Sequence, residues 1–194
     1  MSGGVPETLE EVHAYIWMLL GAGVRDRKSA FHAPTLATVD ADGRPQARTV
    51  ILREADMDAR HLRFNTDTRA PKHAQMFDGG PVALHVYDPD AKIQVRFHGR
   101  VRLHAGDQRA RDVWDAMKSM SRECYRQGCP PGTPLDSVED VPRDTLDDLQ
   151  GFANMAVADV TIERIDWLYL RHEGHMRAGF DLTAEPVAMT WLAP

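Results

Sequence analysis

The sequence predicts a mainly β fold with flanking helices, a small barrel of six or so antiparallel strands. Three observations carry this. Apolar and polar residues alternate in short runs between Pro34 and Leu103, the period of half-buried strands. Asp42-Gly43 stands between two such runs and signals a hairpin. There is no βαβ rhythm, no GxGxxG and no GxxxxGK[ST], so Rossmann and P-loop folds drop out.

The elements follow in chain order. Thr8 and Glu11 stand at capping-box spacing, and Leu9, Val12, Ile16, Leu19 and Leu20 share one face, which predicts a helix over about 8–20. Gly21 and Gly23 are expected to end it. Strands are expected over 35–39 and 46–53, a loop over 54–60, and a third strand over 61–66. A short helix over 70–77 tolerates Pro71 in its first turn. Strands over 82–87 and 92–104 come next. In the latter, Ile93, Val95, Phe97, Val101 and Leu103 point one way and Gln94, Arg96, His98, Arg100 and Arg102 the other. Gly99 in its middle suggests a bulge. A second helix is expected over 107–124, then a Pro- and Gly-rich excursion to about 150. Strands resume over 156–162, 167–170 and 187–192. The whole is one domain, its barrel formed by about 31–104 and 156–192.

Composition limits function. The chain has 194 residues, 43% of them hydrophobic, and a net charge of −6. That charge excludes generic binding to nucleic acid or anionic membranes, so any basic cluster is local and suited to a small anion. Cys124 and Cys129 are ordinary reduced thiols in this reading, not a disulfide scaffold. The N-terminus is acidic where a secretion signal is basic, and no apolar run has the length of a membrane span. A cytoplasmic protein is expected. His172 and His175 lack the supporting pattern of a metal site.

The chemistry concentrates in basic and amide residues. Thr66, Arg69 and Lys72 fall at a strand end and helix start, where backbone N–H groups and cations together suit a phosphate. Arg48, Arg53 and Gln94 lie on neighbouring strands.

These residues resemble the FMN-binding split barrels of the pyridoxamine 5′-phosphate oxidase family. The family's R-x-V-L-L-K strand is similar to Arg48-Thr49-Val50-Ile51-Leu52-Arg53, and its strand-end pair to Asn65-Thr66. Its R-S-x-K turn is similar to Arg69-Ala70-Pro71-Lys72, its flavin-contacting glutamine to Gln94, and its R-L-H-x-R to Glu173-Gly174-His175-Met176-Arg177. The resemblance implies FMN as cofactor, held by residues 48–53, Asn65, Thr66, Arg69, Ala70, Lys72, Gln94 and Arg177. It implies His175 on the substrate side and Arg177 at the flavin, both as catalytic candidates, and a homodimer with FMN at the interface. The implied activity is hydride transfer from a small amine or other reductant to FMN and then to oxygen.

The substrate clamp departs from the pattern. Glu173 stands where the family has a substrate-binding Arg, Arg53 replaces Lys, and Ala70 removes a hydroxyl. The expectation is therefore a divergent flavoprotein with an undefined substrate. The alternatives are a non-catalytic FMN or haem binder, or an NAD(P)H-dependent flavin reductase.

Overall fold

A computed structural model describes residues 6–142 and 145–194. Its nine strands are β1 Thr35–Val39, β2 Pro45–Thr49, β3 Glu54–Asp56, β4 His61–Asp67, β5 Gly80–Asp88, β6 Ile93–His104, β7 Met155–Tyr169, β8 Met176–Asp181 and β9 Ala188–Leu192. All belong to one antiparallel sheet, ordered β2-β1-β5-β6-β7-β4-β3, with β8 on β7 and β9 on β8. Nine strands replace the six or so expected.

β7 organises the split barrel. β6 pairs along nearly all of one edge, from Ile93↔Tyr169 to His104↔Val157. The other edge is divided: β4 takes residues 155–161 and β8 takes 164–169. The sheet therefore curls around a core but does not close. The strands expected over 156–162 and 167–170 are one strand, β7, and the register with β6 shifts at Glu163, between His98 and Gly99. A Cβ on Gly99 would collide with the backbone carbonyl of Thr161, so this bulge requires glycine.

The inner row runs Leu36, Leu84, Phe97, Ile165 and Phe180 across five strands, every member at most 2% exposed. The helix α1 (Leu9–Arg25) covers the open side with Val12, Ile16, Trp17 and Leu20, all buried. Each such apolar side chain contributes about 1.5–3 kcal/mol. Its capping box between Thr8 and Glu11 is present. The helix does not stop at Gly21 but continues to Arg25. Gly23 serves close approach instead, because a Cβ there would meet the Phe31 carbonyl carbon at 2.5 Å.

Other boundaries also move. The strand expected over 46–53 ends at Thr49, since Val50 and Leu52 turn their N–H groups to the carbonyls of Pro34 and His32. The loop expected over 54–60 contains β3. The helix expected over 107–124 breaks at Met117 into α3 (Gln108–Ala116) and α4 (Ser119–Arg122). The short helix α2 spans Pro71–Gln75, and α5 (Asp148–Asn154) closes the excursion. Trp114, Tyr125, Phe152 and Val157 form a second core that fixes α3 on the sheet. Among the described residues no helix is long and apolar enough to cross a membrane.

Candidate functional site

Arg48 is aimed inward from β2. Its Nη1 donates to Thr38 Oγ1 at 2.6 Å and its Nη2 to Gln75 Oε1 at 2.6 Å; Thr38 Oγ1 donates to the same Gln75 oxygen at 2.8 Å. These neutral partners orient the guanidinium without neutralising it. Burial lowers the Arg48 pKa. Lys72, half-buried in α2, is lowered by burial first and by repulsion from Arg48 second. Neither residue has an ion-pair partner among the described residues. Two partly desolvated cations, neither in an ion pair and with only Asp67 acting on Lys72 from a distance, form a socket that an anion would stabilise.

Arg69 is differently employed. Its Nη2 lies 2.7 Å from Asp67 Oδ2, its Nε donates to Asp67 Oδ1 at 3.0 Å, and its Nη1 donates to the Gln127 carbonyl at 3.0 Å. Those hydrogen bonds raise its pKa. Asp67 is thus occupied by Arg69, which leaves Lys72 and Arg48 as the cations with spare charge. Thr66 is buried at 2% exposure, and Ala70 at 3% offers no side-chain hydrogen bond to the α2 terminus. Thr49 is exposed, while Val50 and Leu52 point into the core. Any contact of those two with a ligand is through backbone.

A second feature adjoins this socket. A cavity of about 640 Å³ lies between the end of α1, β4 and the α3–α4 segment. It is lined by Arg53 and Asn65 and also by Lys118, Ser121, Cys124 and Tyr125, which sequence reasoning left out. Cys124 is close enough to Lys72 and to Arg53 for their charges to interact, so the cavity borders the socket. Partial desolvation by its neighbours pushes the Cys124 thiol up. Thr38 and Gln75 were also missed; only the spacing of Gln75 three residues after Lys72 on α2 hinted at it.

Gln94 and Arg177 are elsewhere. The register runs Tyr87↔Gln94, Gln94↔Leu168, Leu168↔Arg177 and Arg177↔Leu192, one row on the outer face of β5–β9. Arg48 pairs with Leu36 in the inner row. One chain therefore places Gln94 and Arg177 on the opposite face of the sheet from Arg48. Arg177 Nη2 is 2.7 Å from Asp166 Oδ2, and Arg96 Nη2 is 2.9 Å from the same oxygen. Burial pushes the Asp166 carboxyl up, but the hydrogen bonds from Arg177 and Arg96 outweigh it and leave the pKa lowered. His175 and Glu173 are exposed in the turn between β7 and β8.

Residues 15–105 match the family described as pyridoxamine 5′-phosphate oxidase, FMN-binding domain. Over that stretch, just under half of its length, the chain is similar to this FMN-binding family. Pyridoxine/pyridoxamine 5′-phosphate oxidase of Roseobacter denitrificans is 31% identical over 106 residues, 55% of this chain and 51% of the relative. Pyridoxine/pyridoxamine 5′-phosphate oxidase 2 of Arabidopsis thaliana is 28% identical over 145 residues, 70% and 72% of the two chains. The match thus spans about half the length of the Roseobacter protein.

Two solved structures share the fold over nearly the whole chain. A pyridoxamine 5′-phosphate oxidase-related, FMN binding protein of Nostoc punctiforme superposes with a TM-score of 0.76 at 24% identity, covering 100% of both chains. PhzG of Burkholderia lata, solved with tetrahydrophenazine-1-carboxylic acid, gives 0.72 at 15% identity, covering 98% and 95%. FMN is the cofactor of this domain. The unneutralised Arg48 and Lys72 fit its phosphate.

Proposed function

We propose that this protein is an FMN-dependent oxidoreductase whose complete site draws on two copies of the chain. The observation that supports it is the partly desolvated Arg48–Lys72 pair, two neighbouring cations that form no ion pair among the described residues. Bound FMN would supply two-electron redox chemistry between a small reduced donor and an acceptor such as oxygen. Arg48 and Lys72 hold the phosphate, with Thr38 and Gln75 fixing the guanidinium plane. Arg53 offers positive charge from the cavity side.

Gln94 and Arg177 belong to the same site only if a second copy presents its outer sheet face to the socket. A two-fold homodimer does this twice by symmetry and leaves two equivalent sites. The exposed Tyr87 and Leu192 at the ends of the Gln94–Arg177 row suit burial in such an interface. His175, in the adjoining turn, is then the donor-side residue.

The test is direct. Purified protein is examined for a flavin absorption band and its mass in solution, then screened anaerobically with amine donors and NAD(P)H for bleaching. Bleaching by a donor followed by peroxide release on readmitting air is expected. A colourless protein that takes up no FMN overturns the reading. Stable flavin that no donor bleaches makes the protein a binder without turnover.

A further inference from the structure

The cavity beside the socket has an unusual charge. Of its sixteen lining residues six are basic (Arg25, Arg27, Arg53, Arg63, Arg109 and Lys118), and Asp112 is the one acid. The chain as a whole has more acids than bases, 29 against 23. The imbalance is therefore a local construction, and clustered cations at a concave surface focus potential on whatever enters.

The six divide into two sets. Arg63 and Arg109 are half-buried and already neutralised from behind. Arg63 Nε is 2.8 Å from Glu54 Oε2, and Arg109 Nε is 2.9 Å from Asp159 Oδ2. Arg25, Arg27, Arg53 and Lys118 are exposed and have no ion-pair partner among the described residues. They also come from three separate places: Arg25 and Arg27 from the end of α1, Arg53 from the link before β3, and Lys118 from the α3–α4 junction. One phosphate satisfies two or three donors, not four cations spread over three segments.

We infer that the ligand of this cavity has two separated anionic groups, such as a phosphate and a carboxylate, and that Arg25 and Arg27 read the second one. This deepens the oxidoreductase reading by naming a substrate class, and it rests on that reading only for the cavity's place beside the flavin phosphate. The end of α1 suits the task because Gly23, packed tightly on Phe31, fixes how the helix approaches the 30–32 turn.

Calorimetric titration of the protein as purified with two probes tests this. 3-Phosphoglycerate carries a phosphate and a carboxylate; glycerol 3-phosphate carries the phosphate alone. The first is expected to bind about tenfold or more tightly than the second, the worth of one charge-assisted contact. In the R25Q/R27Q double variant that preference should vanish, while glycerol 3-phosphate affinity and flavin content stay as in the parent. Equal affinity of the two probes, absence of binding by both, or a preference that survives R25Q/R27Q each overturns the inference. Flavin content is read separately from the visible spectrum, so a failed flavin reading is recognised independently of the titration.

Discussion

Arg69 and Asp67 form a two-point ion pair, with Nη2–Oδ2 at 2.7 Å and Nε–Oδ1 at 3.0 Å, on a carboxylate only 6% exposed. The third contact of Arg69, to the Gln127 carbonyl, ties the excursion to the strand end. Arg69 is thus a structural strut at the edge of the phosphate socket. Arg69→Ala is expected to leave a buried Asp67 unpaired, at a cost of about 3 kcal/mol or more. Urea unfolding should report that loss, and limited proteolysis should show earlier cleavage in the 127–142 segment. A variant with parental stability and only weaker FMN binding would return Arg69 to the role of phosphate ligand.

Lys72 and Arg48 make the opposite prediction. Each is desolvated, and each repels the other, so their cost to the free protein is recovered when an anion binds. Lys72→Ala should weaken FMN affinity about tenfold to a hundredfold, the worth of one or two charge-assisted hydrogen bonds. The flavin-free protein should unfold at an equal or slightly higher temperature than its parent. Fluorescence quenching titrations and thermal melts measure the two quantities. Full flavin retention by Lys72→Ala would remove the socket from the cofactor.

Acid stability is set partly by Asp159. It receives Arg109 at 2.9 Å and His61 Nε2 at 3.0 Å. Burial pushes its carboxyl up, but the close approach of His61 and the hydrogen bonds from Arg109 outweigh that and hold its pKa far below the usual value. A carboxyl lowered in the folded state contributes fully above its unfolded pKa of about 3.9, and the contribution fades as pH falls through the folded value. The protein should therefore lose stability as pH drops below about 4.5. Asp159→Asn should be less stable by about 1–2 kcal/mol at pH 7, because Arg109, itself partly exposed, loses its nearer partner and keeps only Glu54 at 3.6 Å. Its unfolding midpoint should also depend less on pH in the acid range. Chemical denaturation at several pH values decides this, and parallel acid slopes for the two proteins would refute it.

Glu173 tests the substrate side. It stands exposed in the β7–β8 turn, at the place where the resemblance implies a substrate-binding arginine. Glu173→Arg reverses the charge at a position expected to face the donor. Affinity for pyridoxamine 5′-phosphate, followed by perturbation of the flavin spectrum, should rise about tenfold. No change would place this turn away from the site.

Much of the fold is legible in the chain because its signals are local. The 92–104 alternation, the Asp42-Gly43 hairpin and the Thr8–Glu11 box each involve neighbours in sequence, and all three appear in the structure. Signals that depend on distant partners were not legible. The two strands expected over 156–162 and 167–170 are one, β7, in which Glu163 is an extra residue opposite Gly99 and bonds Arg100 across the bulge. The site divided similarly. Arg48 and Lys72 are visible from their residue types and motif, whereas Thr38, Gln75 and Tyr125 matter only through tertiary packing. That Gln94 and Arg48 face opposite sides of the sheet follows from strand register, which no residue type encodes.

Two glycine-to-alanine substitutions should act with opposite sign, and the reason lies in what a Cβ would meet. At Gly99 it would strike the Thr161 carbonyl, which is held in the β6–β7 ladder. Backbone must shift there, at a cost of about 1–3 kcal/mol and with loss of the bulge that curls the sheet. At Gly21, inside α1, the nearest atom is Arg25 Nη1 at 3.6 Å, an ordinary contact with the far end of a flexible side chain. The substitution there gains helix propensity and restricts the unfolded chain, for about 0.4–1 kcal/mol of added stability. Gly21→Ala should melt higher than the parent and Gly99→Ala lower, with the change at Gly99 accompanied by weaker flavin retention as β6 and β7 lose register. A destabilised Gly21→Ala would mean that α1 bends at this glycine in solution. An unaffected Gly99→Ala would mean that the bulge is not required.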